Sequence, residues 1–137
     1  MDHTAVARQF FDEINDGDAA AIVAMLAEDF VEHEEMPGLS PGRDGVGELF
    51  AMFRAAFPDV HWEPEEILAD GDKVAVRVRV TGTNEGEFMG MGATGKRISV
   101  QLIDILRIGV DGRIAEHWGV FDMFALMHQL GVVGAPA

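Results

Sequence analysis

The chain contains no cysteine, so disulfide staples, thiolate metal sites and cysteine nucleophiles are excluded together. That fits a reducing compartment. It has no run of about 18 or more apolar residues and opens without a basic-plus-apolar leader, so neither a membrane span nor a secretory signal is expected, and a cytoplasmic protein is. Positive charge is scarce. Ten Lys and Arg face 24 Asp and Glu, for a net charge of −14, which repels phosphate backbones and anionic lipid surfaces. Nucleic acid and membranes are therefore not expected partners. The acidic residues are scattered, as on a solvated surface, and no spacing resembles a calcium loop.

What is present describes a folded chain. With 137 residues and 48% hydrophobic content, the simplest reading is one domain, 1–137, with a real core. Val6, Phe10 and Ile14, with Ala7 and Phe11 beside them, predict an amphipathic helix over about 2–15. Asp16-Gly17 breaks it, Asp18 can cap a second short helix over 19–27, and the two form a hairpin. Phe30-Val31-Glu32-His33 reads as a short strand leading into a loop, Glu34 to Gly42, that could act as a lid. A third helix runs from about Gly42 to Phe57, with Val46, Leu49, Phe50, Phe53 and Phe57 on one face, and Pro58 stops it.

From Val60 the period changes to two. Asp70-Gly71-Asp72 turns a strand ending at Leu68 into one spanning Lys73 to Thr83, where Val74, Val76, Val78 and Val80 share one face and Arg77, Arg79 and Thr81 the other. The valine face should meet the helices. A glycine-rich connection, Asn84 to Gly95, carries Phe88, Met89 and Met91; its spacing is not a phosphate-binding fingerprint, so these side chains either close over an apolar pocket or pack on the sheet edge. Lys96 to Ile108 is a long strand, Asp111-Gly112 a hairpin turn, and the last strand carries His117 and Trp118 up to Asp122, where a short helix ending at Gly131 takes over. The order predicts an α+β fold with helices on one face of an antiparallel sheet.

Several segments in this order carry a resemblance: Phe30-Val31-Glu32-His33, Ala56-Phe57-Pro58-Asp59, Asp72 to Arg77, Thr81-Gly82-Thr83 through Gly90, Thr94 to Arg97, and Glu116-His117-Trp118 with Gln129-Leu130-Gly131. Over nearly its whole length the chain resembles the SnoaL-like polyketide cyclase and ester cyclase group of the NTF2-like superfamily. The resemblance implies a cone-shaped α+β barrel, three N-terminal helices packed on a curved antiparallel sheet with a short C-terminal helix, an apolar cavity between the layers, and a dimer. It also implies cofactor-independent acid/base chemistry on a hydrophobic carbonyl compound, closing a ring by an intramolecular aldol step. Such chemistry needs a carboxylate or imidazole of tuned pKa and donors for a developing enolate. In many relatives an aspartate directly follows the His-Trp pair; here Gly119 stands there. The alternative is a non-catalytic small-molecule binder or dimeric scaffold.

His117 and Asp104 lead the catalytic candidates, with His33 and Asp122 behind them. His117 shares a strand face with Gly119 and serves as acid/base or donor if that face lines the cavity. Asp104, between Ile103 and Ile105, either faces solvent, the favoured reading, or is buried with a raised pKa. Trp62, Phe53, Phe88, Met89, Met91, Trp118 and Phe121 are the candidate cavity lining. With no tyrosine, the chain lacks the group that ketosteroid isomerases of this fold use on the dienolate oxygen, and it shows no Arg-x-Asp step of the epoxide-hydrolase type. A metal is not expected, because His3, His33, His61, His117 and His128 form no His-x-x-x-His or His-x-His pair. Finally, Arg77 and Arg79 on the uncovered sheet face predict a homodimer through that face, each row meeting the partner's carboxylates.

Overall fold

The valine row anchors the molecule. In the computed structural model, which describes residues 2–132, Val74, Val76, Val78 and Val80 are all fully buried, and the helices lie against them. The rest of the expected domain 1–137, residues 1 and 133–137, lies outside the described residues. In chain order the elements are α1 (His3–Asp16), α2 (Ala19–Ala24), β1 (Leu26–Glu32), α3 (Gly42–Ala56), β2 (His61–Asp70), β3 (Lys73–Thr83), β4 (Arg97–Ile108), β5 (Ile114–Phe121) and α4 (Met123–Leu130). The cap at Asp18 and the ends at Gly17 and Gly131 fall where the sequence places them, while Asp2, read as the first helical residue, is the N-cap of α1. Asp2 and Asp18 accept from the first backbone N–H groups of α1 and α2, while Gly17 and Gly131 end α1 and α4 in the left-handed conformation.

The strand order is β1-β5-β4-β3-β2, the helices cover one face, and the α+β architecture is NTF2-like. Three features differ from the sequence reading. The sheet is not closed into a barrel: β1 and β2 are its edges. It is not wholly antiparallel, because β1 runs parallel to β5, a pairing made possible by the long intervening chain. And α2 ends at Ala24 while β1 starts at Leu26, ahead of the expected Phe30. There the backbone N–H of Ile114 donates to Met25 O and Leu26 pairs with Ile114. Tertiary pairing has taken residues whose local spacing reads as helix.

The glycine-rich connection is pinned by hydrogen bonds. The buried Asn84 side chain donates to Gly86 O at 2.8 Å and accepts from Thr94 N and Oγ1 at 2.8 and 2.9 Å. At Gly86 a Cβ would overlap the carbonyl of Ala55 in α3, so only glycine permits this approach. Phe88 is carried into the core against Phe53 and Phe57, which settles its choice between pocket lid and packing in favour of packing.

On the outer sheet face a bulge between Pro64 and Glu66 adds Glu65 to β2. Arg77 Nη1 donates to Glu65 at 3.0 Å and Arg79 Nε lies 3.5 Å from the same carboxylate. Carboxylates of their own chain thus already meet the arginines. The same face exposes Leu68, Ile103, Ile105 and Val120.

Candidate active site

Period-two alternation points Ile98, Val100, Leu102, Asp104, Leu106 and Ile108 of β4 toward the helices, and Ile103 and Ile105 outward. Asp104 therefore faces inward, against the favoured solvent-facing reading, and its side chain is 13% exposed. On β5 the inward positions include His117, Gly119 and Phe121, paired with Leu106, Asp104 and Leu102. On β1 they include Phe30 and Glu32, and Glu32 pairs with His117. Three adjacent strands so deliver three ionisable groups to one point on an apolar face.

The groups are hydrogen-bonded to one another. His117 Nδ1 lies 2.5 Å from Glu32 Oε1, and Nε2 lies 2.7 Å from Asp104 Oδ1. Two ionised carboxylates can only accept, so both ring nitrogens donate and the ring is an imidazolium. Burial alone would lower the His117 pKa; hydrogen bonds to Asp104 and Glu32, helped by their charges, outweigh it and raise the pKa from 6.5 to about 10. Glu34, just past β1, completes the cluster. Burial and then the charge of Asp104 push its pKa up, with His117 opposing and Glu32 adding to the rise.

These groups form the polar end of a cavity of about 80 Å³ between sheet and helices, whose apolar wall includes Phe10, Phe50, Phe53, Trp62, Leu102 and Phe121. Asn15 sets the Trp62 wall by accepting from Trp62 N and donating to Trp62 O, both at 2.8 Å. A second cavity of about 100 Å³ lies under the loop between β1 and α3. Glu32, Glu34, Met36, Val46 and Leu49 border both. Each is small beside the roughly 300–1,000 Å³ of sites for drug-sized ligands, so a bulky ligand must displace that loop.

His117, Asp104, Trp62, Phe53 and Phe121 thus reach the cavity, and the other sequence candidates do not. His33 stands outside it, 2.6 Å from Glu116 and stacked on Trp118 with centroids 4.8 Å apart, so neither of these two lines the pocket. Asp122 caps α4, accepting from Ala125 N at 3.0 Å. Met89 is half exposed, and Met91 packs on the core away from the cavity. Glu32 and Glu34 are the residues the sequence reading missed. The phase of Leu26, Phe30 and Glu32 could have found the first; no periodicity marks a loop residue such as Glu34.

Donor atoms of Glu34, Asp104 and His117 lie within 4.8 Å of one another, a spacing a divalent cation could bridge. Nε2 of His117 is hydrogen-bonded to Asp104, so a cation taking that nitrogen would have to displace this hydrogen bond.

Comparison with known proteins decides the lineage. The family model described as SnoaL-like polyketide cyclase matches residues 5–130. The chain belongs to the SnoaL-like polyketide cyclase family. It is 36% identical over 91 residues to the aklanonic acid methyl ester cyclase DnrD of Streptomyces peucetius, a match covering 66% of this chain and 62% of that protein. Among solved structures it resembles AclR, a proposed hydroxylase from Streptomyces galilaeus, with a TM-score of 0.86 and 36% identity over 98% of this chain and 84% of that one. It also resembles TsrD from Streptomyces laurentii, with a TM-score of 0.84 and 28% identity over 95% of both chains. In this SnoaL-like chain Gly119 has no room for a side chain. A Cβ there would overlap Glu34 and lie 2.6 Å from Asp104 Oδ1 and 2.7 Å from His117 Nε2.

Proposed function

We propose that this chain is a cofactor-independent cyclase-type enzyme that closes a ring in a hydrophobic, polyketide-like carbonyl compound by an intramolecular aldol step. The observation that carries this reading is an imidazolium held between two carboxylates, beside a third, at the end of an otherwise apolar cavity. A carboxylate takes a proton from the carbon between activating carbonyls, and the C–H electron pair passes into the enolate. The positive charge of the His117 ring, whose two N–H groups are bonded to carboxylates, stabilises the developing enolate electrostatically. The enolate carbon then attacks a second carbonyl, forming the C–C bond, and the carboxylic acid returns its proton to the alkoxide. No atom is gained or lost, and no step calls for a cofactor. Similarity to both a cyclase and a proposed hydroxylase shows that the scaffold alone does not fix the reaction.

Aklanonic acid methyl ester, the compound in the relative's name, is the first substrate to assay. In heavy water the protein should incorporate deuterium at the acidic carbon and give a product isomeric with the substrate, and Asp104→Asn should slow both by about 10²–10⁴-fold. Binding seen as a raised melting temperature, with neither exchange nor ring closure across a series of such carbonyl compounds, would instead establish the binder reading.

A homodimer through the outer sheet face belongs to the same proposal. The exposed Ile103 and Val120, directly paired across β4 and β5, supply an apolar centre, and Arg77 and Arg79 a polar rim. Light scattering should give twice the chain mass of 14.9 kDa. Ile103→Glu with Val120→Glu should halve it; a wild-type mass near that of one chain sinks the dimer.

A further inference from the structure

We propose that Glu34, brought in by the β1–α3 loop, is the proton-transferring residue of this site and occupies the space that a side chain at position 119 would otherwise fill. The inference rests on the cyclase reading and adds to it the identity of the base.

Space makes the first argument. The ideal Cβ position at Gly119 overlaps Glu34 Oε2, so a side chain at 119 would push the Glu34 carboxylate out of the place it holds. Glycine on β5 leaves the place where a loop carboxylate comes down beside His117 and Asp104.

Hydrogen bonding makes the second. Glu32 and Asp104 each spend an oxygen on His117, so each is already committed as an acceptor. Among the described residues the Glu34 carboxylate accepts no hydrogen bond. Its backbone N–H donates to Glu32 Oε1 at 2.9 Å, which fixes the loop and leaves the side chain uncommitted. The roles then separate: Glu32 and Asp104 position His117 and keep it charged, the charge of His117 stabilises the enolate, and Glu34 handles the carbon-bound proton.

Access makes the third. Glu34 borders both the inner cavity and the cavity under the loop, so a substrate bridging the two passes its carboxylate. The groups facing it are Glu32 from β1, Asp104 from β4 and His117 from β5, while α3 offers the apolar Val46 and Leu49. Partial burial and Asp104 favour its protonated form, which suits a group that must return the proton it takes.

The test compares deuterium exchange and ring closure in wild type, Glu34→Gln, Asp104→Asn, Glu34→Ala and Glu34→Asp. Glu34→Gln should lower kcat by about 10²–10⁴-fold with KM changed by less than about threefold, and should remove the acid limb of the pH profile. Glu34→Asp, which keeps a carboxylate on the loop, should recover at least about tenfold over Glu34→Ala, which a merely structural glutamate would not produce. Turnover by Glu34→Gln within about threefold of wild type, or an unchanged acid limb, overturns the proposal and leaves the cyclase reading standing. Should wild type turn over none of the carbonyl compounds, the cyclase reading fails by itself, and carbon-13 NMR titration still decides on Glu34. A side-chain midpoint above that of exposed glutamates, falling in Asp104→Asn, supports the coupled, proton-ready carboxylate; an ordinary midpoint rejects it.

Discussion

Replacing His117 by glutamine is expected to lower folding stability by about 3–5 kcal/mol at neutral pH, the cost of removing one partner from a buried ion pair. The ring is only 16% exposed, and its removal would leave Glu32 and Asp104, at 14% and 13%, facing each other and Glu34 without a cation. The pH dependence tests the cause as well as the size. Because the His117 pKa rises from 6.5 to about 10 on folding, the folded state binds this proton more tightly than the unfolded chain. Its stabilisation is complete below the unfolded value and is lost as pH climbs through the folded one. In the variant the orphaned carboxylates take up protons instead, so the gap to wild type should narrow toward about pH 5, where carboxylates begin to titrate. Urea unfolding at acidic, neutral and alkaline pH measures all three. A loss below about 1 kcal/mol at neutral pH, the value of an exposed ion pair, would contradict the buried network.

The second large effect concerns the apolar wall. Phe53 is 6% exposed, and its ring meets Phe57, Trp62, Phe88 and Phe121 at centroid distances of 6.3, 6.1, 5.3 and 5.7 Å. It joins α3 to β2, to the pinned glycine-rich connection and to β5, so no single element can move in to fill its place. Phe53→Ala should therefore cost about 3–5 kcal/mol, the upper range for large-to-small changes, since little of the cavity can collapse. It should also merge the lost ring volume with the existing cavity, so that small aromatic ligands raise the melting temperature of the variant more than of wild type. A loss below about 2 kcal/mol would show that the neighbouring rings repack.

How far the sequence carried these results varied with the kind of signal. Strand β3 was legible to its end residues because a run of alternating valines permits one register only. Caps and turns at Asp18, Gly71 and Gly112 were legible because local backbone chemistry dictates them. His117 was a candidate from its neighbours. Asp104 was read outward because its immediate neighbours are isoleucines, yet the decisive neighbours are two apart: Leu102 and Leu106 are buried, and Ile103 and Ile105 are exposed. His33 was the candidate named on the first strand, whereas the residue of that strand at the cavity is Glu32, one position away and so on the other face. Glu34 was beyond sequence reading, since a loop has no period and its approach depends on the missing Cβ of Gly119, far along the chain.

The parallel pairing of β1 with β5 bears on how the protein comes to be assembled. The β2–β3–β4 meander and the β4–β5 hairpin close over modest stretches of chain, whereas Glu32 and His117 are 85 positions apart. Contacts that distant are reached only after nearer ones have shortened the loop between them. During synthesis, β1 must wait with its edge unpaired, and with Glu32 and the adjoining Glu34 lacking their partner His117, until β5 has been made. The same order in reverse describes its breathing: release of this one edge would separate Glu32 and Glu34 from His117 while the meander stays folded. Amide exchange in β1 should therefore run ahead of exchange in β3, and the proton network should disband as one unit with that edge.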